Sequence, residues 1–220
     1  MNKKVTKLIA FSLVIFGFQS ANAELFVNPV SKSKTGAGEL SAHFGTSSVD
    51  YEVGGAKFEI DRTFLGATYA HGLDSNLDIY GTFSLTLKSE IENAPTDGDG
   101  FILGGGVRAG IPNELGVSLH GYGQLLLIDE DYGGGADGEE MSIMAGVVAS
   151  KALDSKIKIY GGAEFNLYSD LDGGGGSSAE RDDLFGFRIG LNFNLGEYLL
   201  NANMSLAHEQ GIFLSASKAF

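Results

Sequence analysis

Few residues in this chain are spaced for chemistry. Ser118 and His120 set a hydroxyl near an imidazole, and His208 is followed by Glu209. A nucleophile needs a base within hydrogen-bond reach, and the base needs a third group to orient it. Neither pair has that third member in its spacing. Asp97-Gly98-Asp99 brings two carboxylates together, an arrangement that can position a water or a divalent cation. Cys is absent, which removes thiolate chemistry and any disulfide framework. The Gly runs do not open a helix, so no phosphate-cradling loop forms, and no metal-ligand spacing occurs. No cofactor is expected, and the chain is not expected to be an enzyme.

The acids fall in three stretches. These hold Glu92, Asp97 and Asp99; then Glu130, Asp131, Asp137, Glu139 and Glu140; then Asp170, Asp172, Asp182 and Asp183, with only Arg181 to offset them. Asp97, Asp99, Asp131, Asp170 and Asp172 are the carboxylates that could take a divalent cation, although no EF-hand loop is present. The formal net charge of −13 excludes nucleic acid as a partner, because phosphate binding needs clustered Lys and Arg.

The elements that carry these residues alternate. From Leu77 to Lys88 the odd positions are Leu, Ile, Gly, Phe, Leu, Leu and the even ones Asp, Tyr, Thr, Ser, Thr, Lys. Strand side chains change face at every residue, so one face is apolar and the other polar. Ile157 to Tyr168 and Phe185 to Leu195 repeat the pattern. Phe101 to Ile111 and Leu115 to Leu127 follow it more weakly, Met141 to Lys151 is apolar on both faces, and Phe58 to His71 is ragged. A soluble β-sandwich also alternates. Here the long Phe/Leu/Ile faces stand opposite charged ones, which suits lipid outside and a polar lumen within.

The chain ends support that reading. Lys3, Lys4 and Lys7 precede an apolar run from Leu8 to Phe18, and Ala21-Asn22-Ala23 has small-x-small spacing. This predicts a secretion signal over residues 1–23, with the mature chain starting at Glu24. No other run has the ~18 apolar residues of a membrane helix. At the far end, Ile212, Leu214 and Phe220 form an alternating segment that closes on an aromatic residue.

Tight breaks at 73–76, 112–114, 153–156 and 196–197 alternate with longer ones at 46–54, 91–100, 130–140 and 170–183. One hairpin recurs: Gly66, Leu73-Asp74-Ser75, Ile79-Tyr80-Gly81, Leu87 and Ser89 align with Gly146, Leu153-Asp154-Ser155, Ile159-Tyr160-Gly161, Leu167 and Ser169. The count is ten strands, near 37–46, 55–71, 77–90, 100–111, 115–128, 141–152, 157–169, 184–195, 198–208 and 212–220, with eight as the alternative. The fold predicted is all-β, a closed antiparallel transmembrane β-barrel over 24–220, led in by a periplasmic segment at 24–36. Parity sends Glu39, Lys57, Glu59, Asp78, Arg108, His120, Lys158, Glu164 and Arg188 inward as a lumen charge network, together with Ser41, His43, Asp61 and Lys88. Ser118 falls on the same inward face as His120. Both signs must pair or stay wet. Paired, they plug the barrel; wetted, they form a constriction, and ten strands leave little room for a wide pore.

On this pattern the mature chain resembles the small outer-membrane β-barrels of Gram-negative bacteria, the opacity-type and porin-like group. The resemblance implies outer-membrane localisation, contact with lipid and lipopolysaccharide, and a C-terminal signal for the barrel-insertion machinery. Ile212, Leu214, Ala216 and Phe220 fit that signal, while Lys218 stands where an apolar residue is usual. It also implies a porin-like or structural role, with passage of small solutes. The alternative is an adhesin or receptor acting through the acidic Gly-rich outer loops, its ligand unspecified. Omptin-like proteases pair acids with an Asp-x-His motif; Asp97-Gly98-Asp99 resembles the first half, and no Asp-x-His occurs. The Ser and His that barrel lipid-modifying enzymes need near lipid have no counterpart on the outer face.

Overall fold

The computed structural model describes residues 26–95, 97–133, 137–173, 178–182, 184–207 and 209–220. The expected secretion signal lies outside them. The strands are β1 (Gly38–Val53), β2 (Ala56–Gly72), β3 (Leu77–Ile91), β4 (Asp97–Ile111), β5 (Ser118–Asp131), β6 (Asp137–Ala152), β7 (Ile157–Asp172), β8 (Ser178–Arg181), β9 (Phe185–Leu195), β10 (Tyr198–Ala207) and β11 (Glu209–Ala219). All pairings are antiparallel, and β11 returns to β1 in register from Glu39↔Ala219 to Val49↔Glu209. The sheet therefore has no free edge, the only way a sheet satisfies its backbone in hydrocarbon.

β8 is not a separate wall strand. The pairs Leu171↔Ala179 and Phe165↔Phe185 keep one register along β7, so β8 and β9 are a single interrupted strand. Above the end of β11, β1 changes partner, and Tyr51 faces Arg181 of β8. The barrel thus has ten strands through most of its height and eight at the outer rim, where β8 joins β7 to β1. Both strand counts allowed by the sequence occur, at different levels.

Alternation sets the two faces. On β3, Phe83, Leu85 and Leu87 point outward while Tyr80, Thr82, Ser84 and Thr86 are buried inside. Bulges at Leu87 and Leu167 shift the register of β3 and β7, so Lys88 turns outward, against the sequence parity, and Ser89 turns in. The hairpin repeat is physical. Asp74 and Asp154 each accept the amides of two following residues through Oδ1, at 2.5 and 2.9 Å and at 2.7 and 2.7 Å. Tyr80 and Tyr160 lie inside at matching heights, and the two bulges correspond.

Inside, rings rest on glycines of the next strand. Tyr80 faces Gly106, Tyr122 faces Gly146 and Tyr160 faces Gly190. A Cβ at these glycines would meet the ring or hydroxyl at 2.6, 2.4 and 2.3 Å. Only a residue without a side chain lets the rings lie flat against the wall.

The described part of the expected periplasmic lead-in runs into the lumen. Ser33 N donates to Asp78 Oδ2 (3.0 Å), Asn28 Nδ2 to Asn192 Oδ1 (2.9 Å), and Thr68 Oγ1 to Phe26 O (2.6 Å). Phe26, Val27 and Val30 are buried. The segment climbs from the short-turn end, taken as periplasmic, to mid-height.

Candidate functional site: the filled lumen

Three layers fill the lumen. In the lowest, Arg108 Nε donates to Asp78 Oδ2 (2.7 Å) and Nη1 to Glu39 Oε1 (3.3 Å) and to Asn28 O (3.0 Å). Ser31 Oγ donates to Glu39 Oε2 (2.5 Å). One arginine thus ties the inserted segment to two wall carboxylates. At mid-height Arg188 Nε donates to Glu164 Oε2 (2.7 Å) and Nη1 to Asn203 Oδ1 (2.5 Å), while Tyr122 OH donates to Glu164 (2.7 Å) and so does Ser205. Beside this pair lies an apolar cluster of Phe26, Phe64, Ile102, Leu126, Ile128 and Phe213. The Phe26 ring sits 5.0 Å from Phe64 and 5.2 Å from His43 between centroids, in tilted contact geometry.

The third layer closes the outer end. Arg62 Nε donates to Glu130 Oε1 (2.9 Å), its Nη2 lies 3.1 Å from Glu140 Oε2, and its Nη1 donates to Tyr51 OH (3.1 Å). Arg181 Nη2 donates to Glu140 Oε1 (2.7 Å), and Tyr132 OH to Glu130 Oε2 (2.9 Å). These four charged side chains are 0–1 % exposed. Charges so far from water persist only when paired and hydrogen-bonded, and here each arginine meets at least one carboxylate.

The inward set read from sequence divides. Glu39, Asp78, Arg108, His120, Glu164 and Arg188 are inside and buried. Lys57 and Glu59 are not: Lys57 is exposed and paired with Asp182, and Glu59 lies on the same outer face as Asp61. On β2 the lumen side carries Ile60, Arg62 and Phe64. Sequence parity sends the polar face inward, whereas above the lipid the outer face is the wet one. Lys158 points in but sits half-exposed at the periplasmic mouth, with no carboxylate in ion-pair range among the described residues. Missed were Arg62, Glu130, Glu140 and Arg181. Glu130 shares parity with Gln124 and Leu126, so carrying the β5 alternation past its apolar stretch would have found it.

The chemistry-bearing pairs do not assemble. Ser118 is exposed while His120 is buried and shares a 3.1 Å hydrogen bond with Ser150. His43 Nε2 lies 2.7 Å from Ser84 Oγ, but its other nitrogen faces Thr68, not a carboxylate. His208 is outside the described residues. Asp97, Asp99, Asp131, Asp170 and Asp172 stand on strand ends, and among the described residues no three His, Asp or Glu groups converge on a metal-sized point. Asp131 Oδ1 instead accepts the Gly133 amide at 2.6 Å.

The C-terminal strand obeys the expected parity: Leu214 and Phe220 face outward, Ile212 is half-buried on the same side, and Phe213 and Ser217 face in. Lys218 pairs with Glu197 (2.7 Å) and lies 5.4 Å from the Tyr198 ring. That tether at the turn end accounts for its tolerance at a lipid-facing position.

A closed sheet with an apolar outer belt and a charged, packed interior defines an integral outer-membrane β-barrel. No protein-family model matches the chain, and neither does any curated protein. Among solved structures, the COG4313 outer membrane channel from Pseudomonas putida F1 is similar at TM-score 0.56 and 13% identity, over 88% of this chain and 100% of that one. AlkL in lipid bilayers (TM-score 0.46, 10% identity, 90% and 96% covered) and OprG from Pseudomonas aeruginosa (0.43, 10%, 86% and 98%) are more distant. The likeness is one of fold, the outer-membrane β-barrel.

Proposed function

We propose that this chain is a porin-like barrel held shut at rest, which passes small solutes only when its N-terminal segment leaves the lumen. The observation that carries the reading is the seat of residues 26–33, which belong to no strand of the sheet and bridge Arg108, Asp78 and Asn192. Wall strands cannot leave without opening the sheet; a segment that pairs with no strand can. The layer of Arg62, Glu130, Glu140 and Arg181 is a second seal. On this reading the chain is not an enzyme, and its partners are outer-membrane lipid, lipopolysaccharide and, during biogenesis, the insertion machinery reading Ile212, Leu214 and Phe220.

Planar-bilayer conductance tests it. The refolded mature chain should be silent; a chain lacking residues 24–33 should open briefly; the same deletion with Glu140→Ala should give steady steps. Silence from the last variant, shown folded by heat-modifiable gel migration, overturns the reading in favour of a purely structural barrel. One observation favours a surface role beside this one. Asp129, Glu139 and Asp172 face one another across β5, β6 and β7 on the outer face, where like charges repel. Divalent cations shared with lipopolysaccharide phosphates would relieve that repulsion.

A further inference from the structure

The periplasmic mouth differs in charge from the rest of the molecule. Acids crowd the outer end, but at the turn end a cavity of about 350 Å³ opens between the inserted segment and the β6–β7 and β9–β10 turns. Its wall includes Lys32, Lys156 and Lys158, with Ser31, Asn192 and Asn194 between them. Lys32 Nζ donates to Asn76 Oδ1 (2.7 Å), an uncharged partner. Neither Lys156 nor Lys158 has a carboxylate in ion-pair range among the described residues. Asp154, the acid lining this cavity, has Oδ1 committed to the amides of Lys156 and Ile157. Just above, His120 has Lys32, Lys158 and Arg108 as charged neighbours, and Arg108 is already neutralised by Asp78 and Glu39. A concave site with three lysines against one carboxylate, Asp154, keeps a net positive charge, and low-dielectric walls concentrate its field.

We propose that this cavity is an anion site, taking a small phosphate- or carboxylate-bearing group. Two lysines come from the wall and one from the inserted segment, so a bound anion cross-links the two and holds the segment in place. The site does not depend on whether the lumen conducts. Charge-assisted hydrogen bonds from ammonium groups recognise such anions without demanding one geometry.

The test is calorimetric titration of the refolded full mature chain in zwitterionic detergent with inorganic phosphate, against chloride at equal ionic strength. Phosphate should bind, and Lys156→Gln with Lys158→Gln should weaken it by about tenfold or more. Lys32→Gln should weaken it too and speed proteolysis of residues 26–33 in the presence of phosphate. The double Lys→Arg variant, which keeps the charge, should retain binding and guards against a folding defect. Heat equal to that of chloride, or affinity unchanged in the glutamine variants, overturns the proposal. Repeating the titration in nanodiscs separates the sources. Phosphate binding in phosphatidylcholine but not in phosphatidylglycerol discs assigns the site to a lipid headgroup; binding in both assigns it to a soluble anion.

Discussion

Replacing Arg188 with Met should cost this barrel more than almost any other single change. Both side chains of the Arg188–Glu164 pair are 0 % exposed. Arg188→Met removes the 2.7 Å bond to Glu164 and the 2.5 Å bond to Asn203. Glu164 then stays buried without its arginine, with Tyr122 OH and Ser205 still donating to it. Leaving one member of a buried pair costs about 3–5 kcal/mol, whereas replacing both by neutral groups of similar size is close to neutral. Glu164→Gln should therefore rescue Arg188→Met, keeping an acceptor for Tyr122 while removing the charge, and the coupling energy should exceed about 2 kcal/mol. With no Trp in the chain, urea unfolding in phospholipid vesicles is followed by tyrosine fluorescence and by heat-modifiable migration. Lys218→Met, which breaks an exposed pair, is the control and should cost under about 1 kcal/mol. A loss under about 1 kcal/mol for Arg188→Met, or a double variant as unstable as the sum of the singles, would refute the claim that this layer is dry.

Three further outcomes follow from the geometry. Gly146→Ala sets a Cβ 2.4 Å from the Tyr122 ring, so it should lower stability by about 1–3 kcal/mol in the same urea assay, and Tyr122→Ala in the same chain should relieve the clash term. Phe26→Ala empties a buried seat worth about 3–5 kcal/mol, but undocking caps the loss at the segment's own docking energy. A single Cys at Val27, in a chain that otherwise has none, should resist maleimide in the parent and label quickly in Phe26→Ala. The Asp154 carboxyl is held below its ordinary value by the Lys156 and Ile157 amides. A depressed carboxylate contributes stability above its unfolded pKa and loses it as pH falls through the folded value, so Asp154→Ala should differ from the parent at neutral pH and converge with it well below pH 4, read by acid unfolding.

Much of the wall was legible because lipid imposes one rule on every strand at bilayer height. Leu77 to Leu87 and Phe185 to Leu195 show it without exception, and their inward residues are where parity sets them. The rule fails where lipid stops. On the upper half of β2 the outside is water and the inside a dry core, so Ile60 and Phe64 face in while Lys57, Glu59 and Asp61 face out. The bulges at Leu87 and Leu167 flip parity with no marker of their own beyond the repeat. Arg181 looked like a lone base among loop acids, yet β8 turns it inward onto Glu140. The inserted segment was hidden for a different reason. Phe26, Val27 and Val30 have no period, and nothing in eleven residues tells a lead-in from a filler; only the shape of the space it occupies decides that.

That space has an origin in the strand count. An eight-strand barrel is already filled by its own side chains, and at the outer rim, where β8 closes the ring, this one is filled in that way. Lower down, the β10–β11 hairpin acts as a stave driven into the cask, widening the hoop by two strands and leaving a gap no wall residue can reach. Phe26 meets Phe213 of that stave, and Asn28 meets Asn192 of its neighbour. The inserted segment is the bung cut to the extra width, so stave and bung belong together: a barrel trimmed of its last hairpin would have no room for residues 26–33.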